Sequence, residues 1–184
     1  MSNATSFALS IALIAALPAM LPASAAEPSA GKTPMAVSPA QSPGQAYDAG
    51  SLRVLVPSSK TNGDYSVLEL TESGGYTTPP HLHPTMDESF YVLEGTLKLD
   101  MAGATHVLPA GSFVLIPRGT AHSQGSADDK PVSLLATFSP GGFDQFFLDR
   151  VELGRTVGRG DPDFQARMLE LVGKHSYWLQ PAGK

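Results

Sequence analysis

Short apolar runs separated by turn residues fill the middle of the chain. They are SLRVLV (51–56), YSVLEL (65–70), SFYVLEG (89–95), TLKLDM (96–101), THVLP (105–109), SFVLIP (112–117) and PVSLLATFS (131–139). Asn62-Gly63 lies in the first connection, and an Ala-Gly-Ala turn separates the fourth run from the fifth. Evenly spaced short strands are typical of an all-β sandwich or barrel. No helical run interrupts them before Gly141, so a parallel sheet with crossover helices is not expected.

After Gly141 the apolar positions follow helical spacing. The segment FDQFFLDRV predicts a first helix, with apolar side chains at Phe143, Phe146, Phe147 and Val151. The segment DPDFQARMLELVG (161–173) predicts a second helix, capped by Asp161 and with Pro162 at its first helical position. Its apolar face would consist of Phe164, Met168, Leu171 and Val172. We expect both helices to cover one outside surface of the β domain, and a contact between two copies of the chain is the alternative.

The first 46 residues lack this pattern. The apolar run FALSIALIAALPAML is followed by small residues up to Ala26, which predicts a signal peptide over residues 1–26 and export to the periplasm or the medium. The start of the chain carries no Lys or Arg, so a membrane anchor is the alternative, although the run before Pro18 is shorter than the roughly 20 residues of a spanning helix. Residues 27–46 are rich in Pro, Ser, Ala and Gly, as in a flexible linker.

These patterns divide the chain into four parts. A signal peptide (1–26) and a Pro-rich linker (27–46) precede a β barrel domain (47–140), and a helical extension packed on the barrel (141–184) follows it. With 184 residues in all, the β domain is long enough to bury its own core without covalent links.

Composition and charge exclude several classes of function. The net charge is −5, and no basic run suggests binding to nucleic acid or to an anionic membrane surface. The chain contains no cysteine, which excludes disulfides, thiol catalysis and thiolate metal ligands. We therefore expect a small-molecule substrate as the partner, no nucleic acid, and no membrane once the signal peptide is removed.

Two histidines stand one residue apart in PPHLHPTMDESFYVLEG (79–95). Alternate residues of a strand project to the same side, so His81 and His83 can reach one point. Glu88 begins the next apolar run and would join them if that strand runs beside the His-X-His segment. His122, after the turn at the end of GSFVLIPRGTAH, would approach from the opposite side. Chance placement is the alternative, and it is the interpretation that we give to the two other histidines, His106 and His175.

Three imidazoles and one carboxylate suit a divalent transition metal. Such a set can bind Fe, Mn or Ni, and Zn is also compatible, whereas Mg and Ca prefer oxygen ligands. An octahedral ion with four protein ligands keeps two positions for water, substrate or O₂, while a four-coordinate Zn site would be closed and structural. The sequence does not choose between these metals.

These spacings resemble the two motifs of the cupin superfamily. The first motif (Gly, five residues, His-X-His, three or four residues, Glu, six residues, Gly) is matched by Gly75, His81, His83, Glu88 and Gly95. The second motif (Gly, five residues, Pro-X-Gly, two residues, His, three residues, Asn) is matched by Gly111, Pro117, Gly119 and His122. Ser126 stands where the motif has Asn, at a position that is usually a turn residue rather than a ligand.

The resemblance is to small single-domain cupins labelled quercetin-dioxygenase-like. It implies a cupin jelly-roll barrel with two short C-terminal helices. It also implies a metal near the barrel centre, with four ligands: His81, His83, Glu88 and His122. Cupin barrels commonly pair through their sheets, so it further implies a homodimer.

The function expected from this resemblance is that of an exported metal-dependent dioxygenase acting on a small organic molecule. In it Glu88 would be both a ligand and the catalytic base, a role implied by the resemblance to quercetin dioxygenases. Alternatives are a binding module without turnover and a metal-dependent isomerase. Four apolar residues are candidates either for a substrate pocket or for plain barrel core: Phe90, Val92, Phe113 and Leu115.

Overall fold

The computed structural model describes residues 32–182. Its strands are β1 (Gln45–Tyr47), β2 (Gly50–Val56), β3 (Ser66–Glu72), β4 (His81–Leu82), β5 (Asp87–Glu94), β6 (Thr96–Met101), β7 (Ala104–Pro109), β8 (Phe113–Ile116), β9 (His122–Ser126), β10 (Val132–Ser139) and β11 (Gln180–Pro181). Its α-helices are α1 (Asp144–Thr156) and α2 (Phe164–Lys174), and a 3-10 turn spans Ser58–Lys60. The predicted signal peptide and the first five residues of the predicted linker lie outside the described residues. The division of the chain into domains stays a prediction.

The strands form two antiparallel sheets. The first has the order β1-β2-β3-β10-β5-β8 and the second the order β11-β4-β9-β6-β7. Buried side chains of both sheets belong to one hydrophobic core, with Leu70 and Phe90 from the first sheet and Leu97 and Leu99 from the second. The expected mostly-β fold with two C-terminal helices is confirmed. In residues 32–182 no strand pairing joins the two sheets into a closed barrel.

Alternation of inward and outward residues explains how the central strands pack. In β3 every second residue from Ser66 to Glu72 is buried, and β10 shows the same alternation from Val132 to Phe138. Because successive strand residues point to opposite faces, one face of each strand enters the core. Truncating a fully buried side chain such as Leu68 or Leu134 to Ala would cost roughly 2–5 kcal/mol.

Gly95 lies between β5 and β6, where the chain crosses from the first sheet to the second. Its φ is +77°, and a Cβ on it would lie 2.5 Å from the carbonyl oxygen of Pro131. Only glycine adopts this backbone conformation without strain and leaves room for so close a neighbour. The first motif therefore needs glycine here for the turn rather than for chemistry.

Both predicted helices are present, but the second begins later than expected. Helix α2 begins at Phe164, so Asp161 and Pro162 lie in the turn before it. The Asp161 side chain accepts a hydrogen bond from the backbone N–H of Asp163 at 2.9 Å. The side chain that we expected to cap the helix thus closes a local turn two residues on, as Asp commonly does. The apolar face of α2 is directed inward, with Leu171 buried and Met168 partly buried.

The C-terminal segment returns to the second sheet, which the sequence pattern did not predict. Strand β11 pairs with β4, so that Pro181 lies opposite His81 and Gln180 opposite Leu82. The two-residue strand carries no apolar alternation of its own, and its pairing depends on the tertiary fold. Neither α1 nor α2 has the length and apolar character of a membrane-spanning helix.

Candidate metal centre

The four predicted ligands come together between the two sheets. One ligand atom from each of His81, His83, Glu88 and His122 lies within 4.8 Å of the others. Three of these side chains are buried, and His81 is half-buried. We call these four residues the histidine–glutamate cluster.

Both sheets contribute to the histidine–glutamate cluster. His81 in β4 lies directly opposite His122 in β9, within the second sheet. Glu88 lies in β5 of the first sheet, between Phe138 and Ile116 of its neighbouring strands. The strand that contains Glu88 does not pair with the His-X-His segment, so the condition under which we expected Glu88 to join the histidines is not met. The residues meet because the two sheets face each other across the core.

Each imidazole ring of the cluster is oriented by a backbone carbonyl. Since a carbonyl oxygen only accepts, the Nδ1 atom of each ring must carry the proton and donate it, which leaves Nε2 with a free lone pair. The Nδ1-to-oxygen distances are 2.8 Å from His81 to Pro79, 2.6 Å from His83 to Trp178 and 3.0 Å from His122 to Thr120. Hydrogen bonds of this kind fix ring orientation in metal-binding histidines.

While their rings are neutral, His83 and His122 present only acceptor atoms to the centre of the cluster, as Glu88 does. Nε2 of His83 and of His122 and Oε2 of Glu88 are buried and have no hydrogen-bond partner among residues 32–182. Oε2 of Glu88 lies 3.1 Å from Nε2 of His83 and 3.0 Å from Nε2 of His122. Two atoms bound at right angles to one ion, each about 2.1 Å away, would be about 3.0 Å apart. The donor set fits a divalent transition metal ion and can hold one.

Burial and mutual charge set the protonation states of the cluster. Burial lowers the pKa of His81 to about 4, and the neighbouring His122 adds to the effect. Burial alone would raise the pKa of Glu88, but the imidazoles of His83 and His122 outweigh it and hold the pKa well below its ordinary range. Burial lowers the pKa of His122 while Glu88 raises it, and the net direction is upward. An ionised carboxylate and a neutral His81 are the forms that bind metal.

The turn of the second motif supports the cluster from outside. The backbone N–H of Gly119 donates to the carbonyl oxygen of His83 at 2.8 Å, which ties the β8–β9 turn to the first motif. Ser126 ends β9, and its hydroxyl donates to the backbone oxygen of Asp128 at 2.9 Å. Ser126 therefore organises the following turn and takes no part in the histidine–glutamate cluster, as expected from its place in the motif.

Comparison with known proteins gives consistent matches. The family profile described as a Cupin domain matches residues 67–138. Germin-like protein 5-1 of Oryza sativa subsp. japonica is 30% identical over 79 residues, which are 40% of this chain and 36% of that protein. Quercetin 2,3-dioxygenase of Bacillus subtilis (strain 168) is 30% identical over 82 residues, 44% of this chain and 24% of that protein. A solved RmlC-like cupin of Shewanella frigidimarina NCIMB 400 superposes with a TM-score of 0.53 at 21% identity, covering 62% of this chain and 98% of that one.

Residues 67–138 belong to the cupin superfamily. The family match contains the whole histidine–glutamate cluster, so the resemblance inferred from the two motifs is confirmed. This cupin spans about a third of the length of the germin-like relative and a quarter of the dioxygenase. The family profile lies within the β-rich part of the chain that carries the cluster.

A cavity of about 300 Å³ opens from the histidine–glutamate cluster of this cupin. His81, His83 and Glu88 are among the residues that line it. Helices α1 and α2 and the C-terminal segment supply an apolar wall made of Phe143, Phe146, Phe147, Met168, Val172 and Leu179. This volume lies at the lower end of the roughly 300–1,000 Å³ typical of small-molecule sites.

None of the four apolar residues proposed for the pocket lines this cavity. Phe90 and Val92 are fully buried in the core, which confirms the alternative interpretation for these two. Phe113 and Leu115 point outward and are 64% and 56% exposed, so both interpretations are wrong for them. The inward side chains of β8 are Val114 and Ile116. All four residues of the strand are apolar, so the sequence contains no signal for which pair faces in.

The sequence pattern also missed a polar group of the cavity wall. Glu72, Thr78, Gln124 and Arg150 line the cavity, and Tyr76 lies beside them; we call these five residues the Glu72 corner. A signal for Glu72 was present, since it follows Ser66, Leu68 and Leu70 at the period of the inward face of β3. A carboxylate in phase with buried positions is unusual, and it distinguishes Glu72 from the other inward residues of β3.

The two remaining histidines lie outside the cluster, as expected. His175 is buried, and its Nε2 lies 2.8 Å from Oδ2 of Asp149, while its ring meets the edge of Phe146. His106 in β7 pairs with Leu99 of β6.

Proposed function

We propose that this cupin is an exported metal-dependent dioxygenase or related oxidoreductase acting on a small organic substrate. Its metal ligands would be His81, His83, Glu88 and His122. The observation that carries the proposal is the cluster of buried, unpartnered acceptor atoms of His83, Glu88 and His122, of which His83 and Glu88 line a largely apolar cavity. The similarity to a quercetin 2,3-dioxygenase over 82 residues supports the same class of reaction.

In the proposed reaction, each group of the site would have a separate role. A bound Fe, Mn or Ni ion would supply Lewis-acid and redox chemistry with O₂. The backbone carbonyls that hold the imidazoles keep their lone pairs directed inward. Glu88 would accept a proton from a substrate hydroxyl, since its carboxylate stays ionised and lines the cavity. The phenylalanines of α1 would exclude water and hold the apolar part of the substrate.

The direct test is metal content followed by O₂ uptake. Protein purified from its native compartment should contain Fe, Mn or Ni by elemental analysis. It should consume O₂ with a phenolic substrate from a panel that includes quercetin. Zinc as the native metal together with no O₂ uptake would refute the proposal, and ligand retention without turnover would favour a binding module.

Export and a homodimer complete the proposal. Cleavage after Ala26 predicts a mature chain that begins near Glu27, and intact-mass measurement on exported protein tests it. A mass that retains residues 1–26 would favour a membrane anchor.

We propose the outward face of β5 and β8 as the surface that pairs in the homodimer, because Tyr91, Leu93, Phe113 and Leu115 are all exposed there.

A further inference from the structure

Glu72 is a buried carboxyl group with one oxygen atom that has no partner among the described residues. It is the last residue of β3, and its side chain is only 2% exposed. Its Oε2 atom is buried and has no hydrogen-bond partner among the described residues. An unpartnered buried polar group destabilises a protein, whereas an apolar side chain of similar size would not. Glu72 faces the same cavity as Glu88, His81 and His83.

The neighbours of Glu72 leave its Oε2 atom free. Arg150 is a cation of the cavity wall. Its guanidinium donates hydrogen bonds to the carboxylate of Asp48 at 2.6 and 2.8 Å and to the hydroxyl of Tyr76 at 2.9 Å. The amide oxygen of Gln124 accepts from the hydroxyl of Thr78 at 3.0 Å. Asp48 already balances the positive charge of Arg150. An anionic group of a ligand would therefore find no unpaired positive charge beside Glu72.

Burial of Glu72 favours its neutral form. Burial raises the pKa of Glu72 to about 8, with Arg150 lowering the pKa, Glu88 raising it and the Gln124 amide lowering it. Tyr47 and Tyr76 are the other titratable groups coupled to it, and burial raises the pKa of both. The raised pKa favours the protonated carboxyl group, which can both donate and accept a hydrogen bond.

We propose that Glu72 is a ligand-recognition residue that hydrogen bonds to a hydroxyl or carbonyl oxygen of a small aromatic molecule whose other end faces the histidine–glutamate cluster. This inference rests on the proposed function, because it takes the cluster as the second point of attachment. The aromatic class follows from the wall of phenylalanines from α1. A neutral oxygen is favoured over an ionised one at this end, since the charge of Arg150 is already balanced by Asp48.

Matched probes test the hydrogen bond. Benzoate and its 3- and 4-hydroxy derivatives differ by one hydroxyl group, and their binding to Ni²⁺-loaded protein under argon can be measured by calorimetry without turnover. Wild type should bind at least one hydroxybenzoate about fivefold or more tightly than benzoate. Glu72→Leu should lose this preference. No binding of any probe to wild type, or an equal preference in wild type and Glu72→Leu, would overturn the inference.

A stability measurement separates recognition from a structural role. Glu72→Leu removes an unpartnered buried carboxyl group, so it should melt at or above the temperature of wild type. Glu72→Gln preserves the shape and serves if Leu does not fold, and Glu94→Leu, at an exposed position of β5, is the control for the substitution itself. Lower melting temperatures in both Glu72 variants would show that the residue supports the fold.

Nickel affinity keeps this inference distinguishable from the proposed function. The Ni²⁺ affinity of Glu72→Leu should equal that of wild type. A weaker Ni²⁺ affinity in this variant would show that Glu72 belongs to the metal centre instead. If probe discrimination is present but O₂ uptake is absent, the dioxygenase assignment fails and the recognition role stands. If O₂ uptake is present and the probes bind wild type and variant alike, the recognition role fails alone.

Discussion

At the residue scale, spacing along the chain was enough to name the histidine–glutamate cluster. Side-chain alternation in an extended segment directs His81 and His83 to one side, and the motif turn brings His122 to face them. What spacing could not supply is the partner that orients each ring. The carbonyl that holds His83 belongs to Trp178, which lies 95 residues further along the chain.

Removing any one imidazole should empty the metal centre. His81→Ala, His83→Ala and His122→Ala should each weaken metal affinity by more than about 100-fold, because loss of even an outer hydrogen-bond partner costs roughly 10–100-fold. His106→Ala, which removes an imidazole outside the cluster, is the matched control. Elemental analysis and metal titration of the four variants provide the measurement. Equal metal loss in the control would show that the ligand set is wrong.

Glu88 can be tested for its two proposed roles separately. Glu88→Gln keeps the size and one oxygen donor but removes the charge, so metal affinity should fall. If Glu88 is also the base, O₂ consumption should drop by about 10²-fold or more even under saturating metal. Full activity of the metal-saturated variant would leave Glu88 as a ligand alone.

The buried acid Glu72 should leave a signature in the pH dependence of stability. Its pKa is raised on folding from an ordinary value of 4.5 to about 8, so the folded state holds a proton that the unfolded state releases. Ionising the buried carboxyl group costs folding free energy, so this cost is absent below pH 4.5 and grows as the pH rises to 8. Relative to Glu72→Gln, wild type should lose up to about 1.4 kcal/mol of unfolding free energy per pH unit in this window. Urea unfolding at a series of pH values measures this. If the unfolding free energies of wild type and Glu72→Gln changed equally with pH, the prediction would be contradicted.

At the element scale, strand existence was easier to predict than strand orientation. In the middle of β3 and along most of β10, apolar and polar residues alternate, so the sequence predicts which face of each strand is buried. Strand β8 is apolar at all four positions, and its orientation depended on which face met the core. Strand β11 has two residues and forms only because β4 offers it a free edge.

The C-terminal segment should couple remote positions to the metal centre. Gly142 has a φ of +133°, and a Cβ on it would lie 2.5 Å from the ring of Trp178. Gly142→Ala should displace Trp178, disturb the hydrogen bond to His83 and weaken metal affinity by about tenfold. It should also change the fluorescence of this residue, the single tryptophan of the chain.

Gly103→Ala is the matched control for that substitution. Gly103 also has a positive φ, +78°, but nothing lies within 4 Å of the Cβ position. The control therefore adds the backbone strain without the contact to Trp178. If both variants weaken metal binding alike, general destabilisation rather than Trp178 would be the cause.

At the scale of the whole molecule, the proposed homodimer can be tested on its surface. Strand β8 is the edge of its sheet, and Phe113 pairs with Tyr91 on the outward face. Phe113→Asp should convert a dimer to a monomer, because it places a charge in an apolar contact. Light scattering after gel filtration provides the mass, with Leu169→Asp, exposed on α2, as control. A monomeric wild type would refute the homodimer.

The sequence by itself determined the strand-rich class, the two helices and the four residues of the cluster. These follow from local rules, since periodicity, turn glycines and motif spacing act over a few residues. Only the tertiary structure decided that Glu88 reaches the histidines from the other sheet, that Trp178 orients His83, and that Glu72 faces the cavity. These relations depend on how distant segments pack, and packing between sheets is set by the whole core rather than by any single segment.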